Sequence, residues 1–249
     1  MNARENAMSR QIVRFEHGRP NRSPVPFEYV DPDQPARRML REQEGLDRLA
    51  AEAATEFDLI LKVIDHVKQQ WDHSYHAPMQ HVNALEVLED VRCGLRGNFC
   101  VYFTHVLLQS LWSVGIPCRY VHVGVHHWQS HSTSECWSNE HRKWMVVDGD
   151  FNLHYVRPDL VAPGMGPIRQ FVPQSAVDIQ RAWRRGEIAS IQPVQGPWAA
   201  ALNYEPRLGD YYGGVFAFVA DYQNVLSNGL PEWAGQQCQW CGWQDPADP

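Results

Sequence analysis

The sequence lacks the excess of basic residues that a nucleic-acid-binding protein needs. It holds 22 Lys and Arg against 29 Asp and Glu, for a formal net charge of -7, whereas phosphate binding depends on clustered Lys and Arg. It also has no apolar run long enough to span a bilayer, and its first residues lack the apolar core of a secretory signal. We therefore predict no nucleic-acid partner, no membrane partner and a cytoplasmic location.

The sequence also lacks a dense cysteine framework. Six cysteines in 249 residues are too few and too scattered for a disulfide scaffold, and we expect all six to be reduced. Four lie in the middle of the chain and two form a C-x-x-C motif near its end: Cys93, Cys100, Cys118, Cys136, Cys238 and Cys241. A structural zinc site needs four ligands, so the role of the lone C-x-x-C stays open.

The remaining composition, 44% hydrophobic and 20% charged, is that of a globular protein. Residues 1–35 are polar and rich in proline, which predicts an extended arm over the surface. Residues 36–156 form the predicted core. Residues 157–249 are rich in aromatics, and we expect them to form an extension that packs on the core and supplies one wall of a cleft.

Helical patterns occupy the first part of the core. The composition predicts a helix from Ala36 to Ala54 and a short helical piece from Asn83 to Asp90. Between them, Thr55 and Asp58 resemble a capping box at the start of a further helix. The apolar residues of that helix recur at helical spacing and predict a buried stripe: Leu59, Ile60, Val63, Ile64, Val67 and Trp71.

The stretch from Gly97 to Asp150 carries the residues from which a thiol nucleophile is assembled. Cys100 opens an apolar segment of helical periodicity that ends at Gly115. In the first turn of a helix, unpaired backbone N–H groups and the helix dipole favour an anion, and hence a thiolate. The alternative for any single cysteine is a buried structural role, and the residues around Cys100 argue against it.

Three strands are predicted after this helix, at Arg119 to Val125, Thr133 to Trp137 and Trp144 to Val147. The last two are joined by a short polar loop, which predicts a hairpin. A hairpin returns the end of its second strand to the start of its first, so it brings Asp148 beside His131. A carboxylate in that position fixes the tautomer of the imidazole and supports the imidazolium.

Four motifs in this order resemble the transglutaminase-like superfamily, in its bacterial single-domain form. They are Gly-x-x-Cys at Gly97–Cys100, Gly-Ile-Pro-x-Arg-Tyr-Val at Gly115–Val121, His-x-x-x-Glu-x-Trp at His131–Trp137 and Trp-x-x-Val-Asp at Trp144–Asp148. The resemblance implies a papain-like α+β fold, with N-terminal helices, a catalytic helix packed on an antiparallel sheet and a C-terminal extension. It also implies a triad of Cys100, His131 and Asp148.

The sequence departs from the family pattern at two places. Asn98 and Phe99 stand between the glycine and the cysteine, whereas the family motif usually has a glycine one residue removed from the cysteine. Gly149 follows the aspartate where the family commonly has proline, and Asp150 comes next. Asp150 is therefore a rival for the third position of the triad.

Acyl transfer from an amide is the chemistry that such a triad implies. The backbone N–H of Cys100 would hold the oxyanion together with a second donor. The candidate second donors are Trp71, Gln80 and Asn98, and the candidate substrate contacts at the rim of the cleft are His126, His127 and Trp128. The spacing of the histidines does not supply metal-ligand geometry, so we predict no metal and no cofactor. Glu135 is predicted to be a structural partner of a buried polar group.

Three functions are compatible with these residues. The first is a cysteine-dependent hydrolase or acyltransferase acting on an amide, in a peptide, a glycopeptide or a small metabolite. The second is a carbohydrate-active enzyme that uses the same cysteine on a glycoside, for which the C-terminal aromatics are the indication. The third is an inactive binding module, against which the retention of all three triad residue types argues. Substrate identity, hydrolysis versus transfer, and oligomeric state stay open.

Overall fold

An antiparallel sheet and the helix that begins at Cys100 form the centre of the fold. The computed structural model describes residues 30–74, 81–94, 99–124, 130–161, 171–198, 211–212 and 215–218. The helices within these residues are α1 Pro35–Gln43, α2 Leu46–Glu52, α3 Glu56–Lys68, α4 Ala84–Arg92, α5 Cys100–Ser113 and α6 Ala176–Arg184. The strands are β1 Cys118–Gly124, β2 Ser130–Ser138, β3 Lys143–Asp148, β4 Leu153–Val161, β5 Phe171–Pro173, β6 Gln192–Gln195 and β7 Val215–Phe218.

The strands make one antiparallel sheet in the order β5-β4-β3-β2-β1-β7, with β6 also paired to β4. Helix α5 packs on β1 and β2, and α1, α3 and α4 pack on α5. The predicted α+β class, with a helix on an antiparallel sheet and helices before it, is confirmed. Within the described ranges, no helix is long and apolar enough to cross a membrane.

Helix α5 is buried on all sides. Every residue from Tyr102 to Ser113 is buried, because the sheet covers one side of the helix and the other helices cover the rest. A helix with apolar residues on every side belongs in the interior of a domain. The helix ends at Ser113, and Gly115, the predicted terminator, follows with a φ of 83°, the left-handed conformation that glycine adopts without strain.

The predicted helix from Ala36 to Ala54 is two helices in the structure. Gly45 has a φ of 64°, so the chain turns there and α2 starts at the next residue. The expected cap of α3 is present, since the Thr55 hydroxyl accepts the Asp58 N–H at 3.1 Å. The Asp58 carboxylate accepts the N–H of Ala54 at 2.8 Å, one residue before the position that a capping box requires.

The described residues after 156 belong to the same sheet and share a core with it. The expected boundary at residue 156 lies inside β4, which pairs with β3, β5 and β6. Helix α6 packs against the face of the sheet opposite α5 in a second apolar cluster, made of Val121, Val123, Val146, Leu153, Tyr155, Ala176, Ile179, Ala182, Ile191 and Tyr212. Residues 1–29, which contain most of the predicted arm, lie outside the described residues.

Candidate active site

Cys100 is the first residue of α5 and its side chain is half-buried. The N-cap residue is Phe99, which has no side-chain acceptor for the helix and makes no capping hydrogen bond. Most helices place Ser, Thr, Asp or Asn at this position to satisfy the first backbone N–H groups. Here no side chain caps the first turn, and a helix start of this kind favours an anion.

His131 and Asp148 form a buried hydrogen-bonded pair. His131 lies near the start of β2 and Asp148 ends β3, so the β2–β3 hairpin brings them together as its register predicts. The His131 Nε2–H donates to Asp148 Oδ2 at 2.6 Å, and the N–H of Phe151 donates to Asp148 Oδ1 at 2.9 Å. The carboxylate is thus held by two donors, and the imidazole has one fixed orientation.

The charges around His131 favour the imidazolium. Burial is the largest single effect and lowers the pKa of His131, but the Asp148 carboxylate and the Cys100 sulfur together outweigh it. The net result is that the pKa of His131 lies well above its usual value. A protonated imidazole between a carboxylate and a sulfur is the arrangement in which a thiolate is stabilised.

Two aromatic rings enclose the imidazole of His131. Phe151 stacks on it with ring centroids 4.7 Å apart and an interplanar angle of 29°. Tyr211 lies 5.6 Å from it at 44°. Because Tyr211 belongs to the aromatic-rich segment that follows residue 156, part of that segment contacts the site.

Asp150 also lies in the site but pairs with a different histidine. One ligand-type atom from each of Cys100, His131 and Asp150 lies within 4.8 Å of the other two. The His73 Nδ1–H donates to both oxygens of Asp150, at 2.7 and 2.9 Å, and Lys68 Nζ is 3.9 Å from Asp150 Oδ1. The Lys68 and Asp150 side chains are only 4% and 2% exposed, so this is a buried charge pair directly beside the cysteine.

The turn between β3 and β4 is anchored so that both aspartates face the site. A Cβ on Gly149 would lie 3.3 Å from the backbone oxygen of Phe103, so the absence of a side chain lets the turn lie against α5. Asn152 has a φ of 50°, its amide donates to Asp65 Oδ1 at 2.8 Å, and its carbonyl accepts the Gly196 N–H at 2.8 Å. The turn is therefore fixed from three sides.

Trp71 follows the end of α3 and lies over α5. Its indole stacks on Phe103 with ring centroids 4.1 Å apart and an interplanar angle of 24°. Its Nε1–H is buried and has no hydrogen-bond partner among the described atoms. Of the other predicted contacts, Gln80, Asn98, His126, His127 and Trp128 lie outside the described residues.

The sequence did not indicate Lys68, His73 or Phe151. Lys68 is the last residue of α3, where a cation usually serves only the helix dipole, and His73 belongs to no motif.

Glu135 was predicted to be a structural partner of a buried polar group, and the structure confirms this role. Its carboxylate binds Arg119, with 2.7 Å between Arg119 Nε and Oε2, and accepts the N–H of Ala176 at the start of α6 at 2.6 Å.

Comparison with known proteins identifies one family. Residues 43–149 match the model of the transglutaminase-like superfamily, a segment that includes Cys100, His131 and Asp148. Among solved structures, the chain is similar to a protein from Cytophaga hutchinsonii that has been proposed to be a cysteine protease, with 13% identity and a TM-score of 0.37. The similarity covers 69% of this chain and 49% of that one, so the chain spans about half the length of that protein. No curated protein gave a significant match.

Proposed function

We propose that this chain, whose residues 43–149 belong to the transglutaminase-like superfamily, is a cysteine-dependent enzyme that hydrolyses or transfers the acyl group of an amide. The observation that carries the proposal is the 2.6 Å hydrogen bond between His131 Nε2 and Asp148, beside a cysteine at an uncapped helix start. In this proposal Cys100 is the nucleophile, His131 the acid and base, and Asp148 the residue that orients His131.

The hydrogen bond to Asp148 assigns the two nitrogens of His131. Because Nε2 donates to the carboxylate, Nδ1 is the nitrogen left to take the thiol proton from Cys100 and to return it later. The elevated pKa of His131 favours the state in which that proton has already moved from sulfur to nitrogen. The thiolate then attacks the carbonyl carbon of the substrate, and a tetrahedral oxyanion forms.

The oxyanion needs at least two donors. The backbone N–H of Cys100 lies at the start of α5, where helix geometry leaves N–H groups outside the helical hydrogen-bond ladder. Trp71 supports the role of second donor, since its buried Nε1–H has no partner among the described atoms and its ring lies against Phe103, one turn after Cys100. An orphaned buried donor costs about 1–3 kcal/mol, a cost that a ligand oxygen would recover.

The next step is the breakdown of the tetrahedral intermediate, which uses the proton held by His131. The imidazolium gives its proton to the leaving amine, the C–N bond breaks, and a thioester joins the acyl group to Cys100. Water or an amine next attacks the thioester, loses a proton to His131 and releases the cysteine. Hydrolysis and transfer use the same residues in every step before the attack on the thioester, so the proposal includes both reactions.

The chemistry of the proposed site favours an amide substrate over a glycoside. A thiolate, an imidazolium and an uncapped helix start are suited to acyl transfer, whereas most glycosidases use two carboxylates around the sugar. The aromatic residues that suggested a carbohydrate lie mostly outside the described residues, and Tyr211 packs on His131 instead.

The decisive experiment is alkylation by iodoacetamide over a range of pH, read by mass spectrometry at each cysteine. We expect Cys100 to react below about pH 7, where ordinary thiols are protonated, and to lose this reactivity in His131→Ala. Cys93 is exposed and serves as the internal control, since it should react only at higher pH in both proteins. If Cys100 and Cys93 show the same pH profile, there is no activated thiolate and the chain is a binding module.

Substrate class and acceptor are tested by trapping the acyl-enzyme. Intact-protein mass spectrometry after mixing with peptide amides, glycopeptides and small acyl amides should show the acyl group as a mass increment on Cys100. Cys100→Ser is the negative control. Adding a primary amine separates the two outcomes, because a transferase converts it to a new amide and a hydrolase releases only the acid.

A further inference from the structure

Two residues of the proposed acyl transfer and one residue that it does not use together form a set of metal-ligand side chains. The Cys100 sulfur, one ring nitrogen of His131 and one carboxylate oxygen of Asp150 lie within 4.8 Å of one another. Ligands bound at about 2.0–2.3 Å to a tetrahedral Zn²⁺ lie about 3.5 Å apart. The three atoms therefore need to approach by only about 1 Å to share one ion.

Two of the three ligands are already oriented by a partner behind them. His131 is held through Nε2 by Asp148 at 2.6 Å, so Nδ1 is the nitrogen that remains for an ion. Asp150 is held by His73 Nδ1 at 2.7 Å. A carboxylate behind a histidine ligand and a donor behind a carboxylate ligand are the outer contacts that metal sites commonly have.

The charges of the site also suit a divalent cation. A Cys100 thiolate with the Asp148 and Asp150 carboxylates carries three negative charges, and Lys68, 3.9 Å from Asp150, offsets one of them. A net charge near -2 beside a sulfur ligand favours a soft divalent ion over Mg²⁺ or Ca²⁺, which prefer oxygen ligands. Because Cys100 is half-buried while the other two ligands are buried, the fourth position of the ion lies on the accessible side.

We propose that Cys100, His131 and Asp150 bind a thiophilic divalent cation of the Zn²⁺ class, and that the bound ion silences the nucleophile. Binding needs a thiolate and an unprotonated Nδ1, so the one proton that Cys100 and His131 share passes to the solvent as the metal–sulfur and metal–nitrogen bonds form. The sulfur electron pair that would attack the carbonyl is then held by the ion. The binding site stands on the geometry alone, while the silencing rests on the proposed function.

The first test is protection of Cys100 from alkylation in the full chain. We expect Zn²⁺ to slow iodoacetamide labelling of Cys100 in the wild-type protein and to leave Cys93 unaffected. Asp150→Asn should raise the Zn²⁺ concentration needed for protection by at least about 10- to 100-fold, the loss that removal of an outer-shell partner alone produces. Asp72→Asn is the matched control, because Asp72 is an exposed neighbour of His73 whose loss removes the same charge but no ligand. Unchanged labelling of Cys100 across the titration, or equal protection in Asp150→Asn and the wild type, would overturn the proposal.

The second test reads the metal–sulfur bond directly with Co²⁺ as the probe. In a Cys238→Ser, Cys241→Ser background, which removes the other candidate thiol pair, we expect a cobalt–thiolate charge-transfer band and visible bands of a tetrahedral ion. Adding Cys100→Ser should abolish the charge-transfer band, whereas adding Cys93→Ser should keep it. A band that survives Cys100→Ser refutes the site.

The two proposals can fail separately. If Cys100 shows no reactivity at low pH but Zn²⁺ protects it and the cobalt band appears, the metal site stands and the acyl-transfer function falls. If Cys100 forms an acyl-enzyme and neither Zn²⁺ nor Co²⁺ binds there, the metal site falls and the enzyme remains.

Discussion

Asp148 and Asp150 are two residues apart in one turn, yet each binds a different histidine. Asp148 accepts the Nε2–H of His131 at 2.6 Å, and Asp150 accepts the Nδ1–H of His73 at 2.7 Å. Gly149 between them lies against α5, so both carboxylates face the start of that helix. One turn thereby supplies two histidine–carboxylate pairs beside Cys100, of which His131–Asp148 is buried and His73–Asp150 is part-buried.

This division predicts unequal effects of two otherwise matched substitutions. Asp148→Asn should lower the rate of acyl-enzyme formation by roughly 10³- to 10⁴-fold, because an amide cannot stabilise the His131 imidazolium. Asp150→Asn should lower the same rate by a factor that is at least about 10 times smaller, because Asp150 binds His73 and not His131. Single-turnover acylation rates of the two variants decide the matter. The opposite ranking would make Asp150 the third member of the triad.

Removing the indole N–H of Trp71 should impair catalysis more than folding. Trp71→Phe keeps an aromatic ring against Phe103 and deletes only the proposed oxyanion donor, so kcat should fall by about 10²- to 10³-fold. KM should change little, because the donor acts on the transition state. The melting temperature is the control for folding. A loss in kcat below about 10-fold would move the role to Gln80 or Asn98.

Gly149→Ala should disturb the site through a close contact. A Cβ there would lie 3.3 Å from the Phe103 carbonyl oxygen, and because a backbone atom cannot move aside easily, the turn must shift. We expect a loss of about 1–2 kcal/mol in unfolding free energy and a fall in activity of about 10- to 100-fold, as Asp148 leaves its position.

The matched control for that substitution is Gly186→Ala. Gly186 has a φ of 72° at the end of α6, so alanine there costs a comparable 1–2 kcal/mol, approximately, of backbone strain. Because Gly186 is not one of the residues of the Cys100 site, the activity per folded molecule should stay at the wild-type level. Equal activity of the two variants would show that the turn tolerates the shift.

Glu135→Gln should destabilise the fold without a specific effect on catalysis. The Glu135 side chain is fully buried against Arg119, and breaking a buried ion pair from one side costs about 3–5 kcal/mol. Lys143→Met breaks the partly exposed pair with Asp178 and should cost only about 0–1 kcal/mol. Urea unfolding measures both values. Loss of activity in folded Glu135→Gln would contradict the structural role.

Two buried histidines and one half-buried histidine, all with lowered pKa values, predict sensitivity to acid. Burial lowers the pKa of His105 to about 3, and that of His122 and His154 to about 4. The unfolded chain takes up these protons below about pH 6.5, so stability should fall as the pH drops from there toward 4. His131 acts in the opposite sense, because its raised pKa stabilises the fold below pH 6.5, approximately, and the gain is lost at higher pH.

The contribution of a single histidine can be isolated. In His105→Gln, the slope of unfolding free energy against pH near pH 5 should decrease by at most about 1.4 kcal/mol per pH unit, the value for one proton. Denaturant unfolding at several pH values measures the slope. An unchanged slope would mean that His105 is already protonated in the fold.

The elements predicted well from the sequence are those with a regular apolar period. Helices α3 and α5 and strands β1 to β3 were found to within a few residues, because the period of 3.6 or 2 is written in the chain itself. Strands β4, β5, β6 and β7 were not predicted. β5 and β6 are three and four residues long and each contains a proline, so they show no alternation and exist only through their pairing with β4.

The local parts of the site could be predicted from the amino-acid sequence. It placed Cys100 at a helix start and joined the strands of His131 and Asp148 by a hairpin, since both features depend on residues close together in the chain. Tertiary structure alone decided which side chains meet there. His73 reaches Asp150 across 77 residues, and Tyr211 contacts His131 although the two are 80 residues apart (211 − 131). Such contacts leave no periodic signal in the sequence, because they arise only when the burial of α5 brings distant segments around one cysteine.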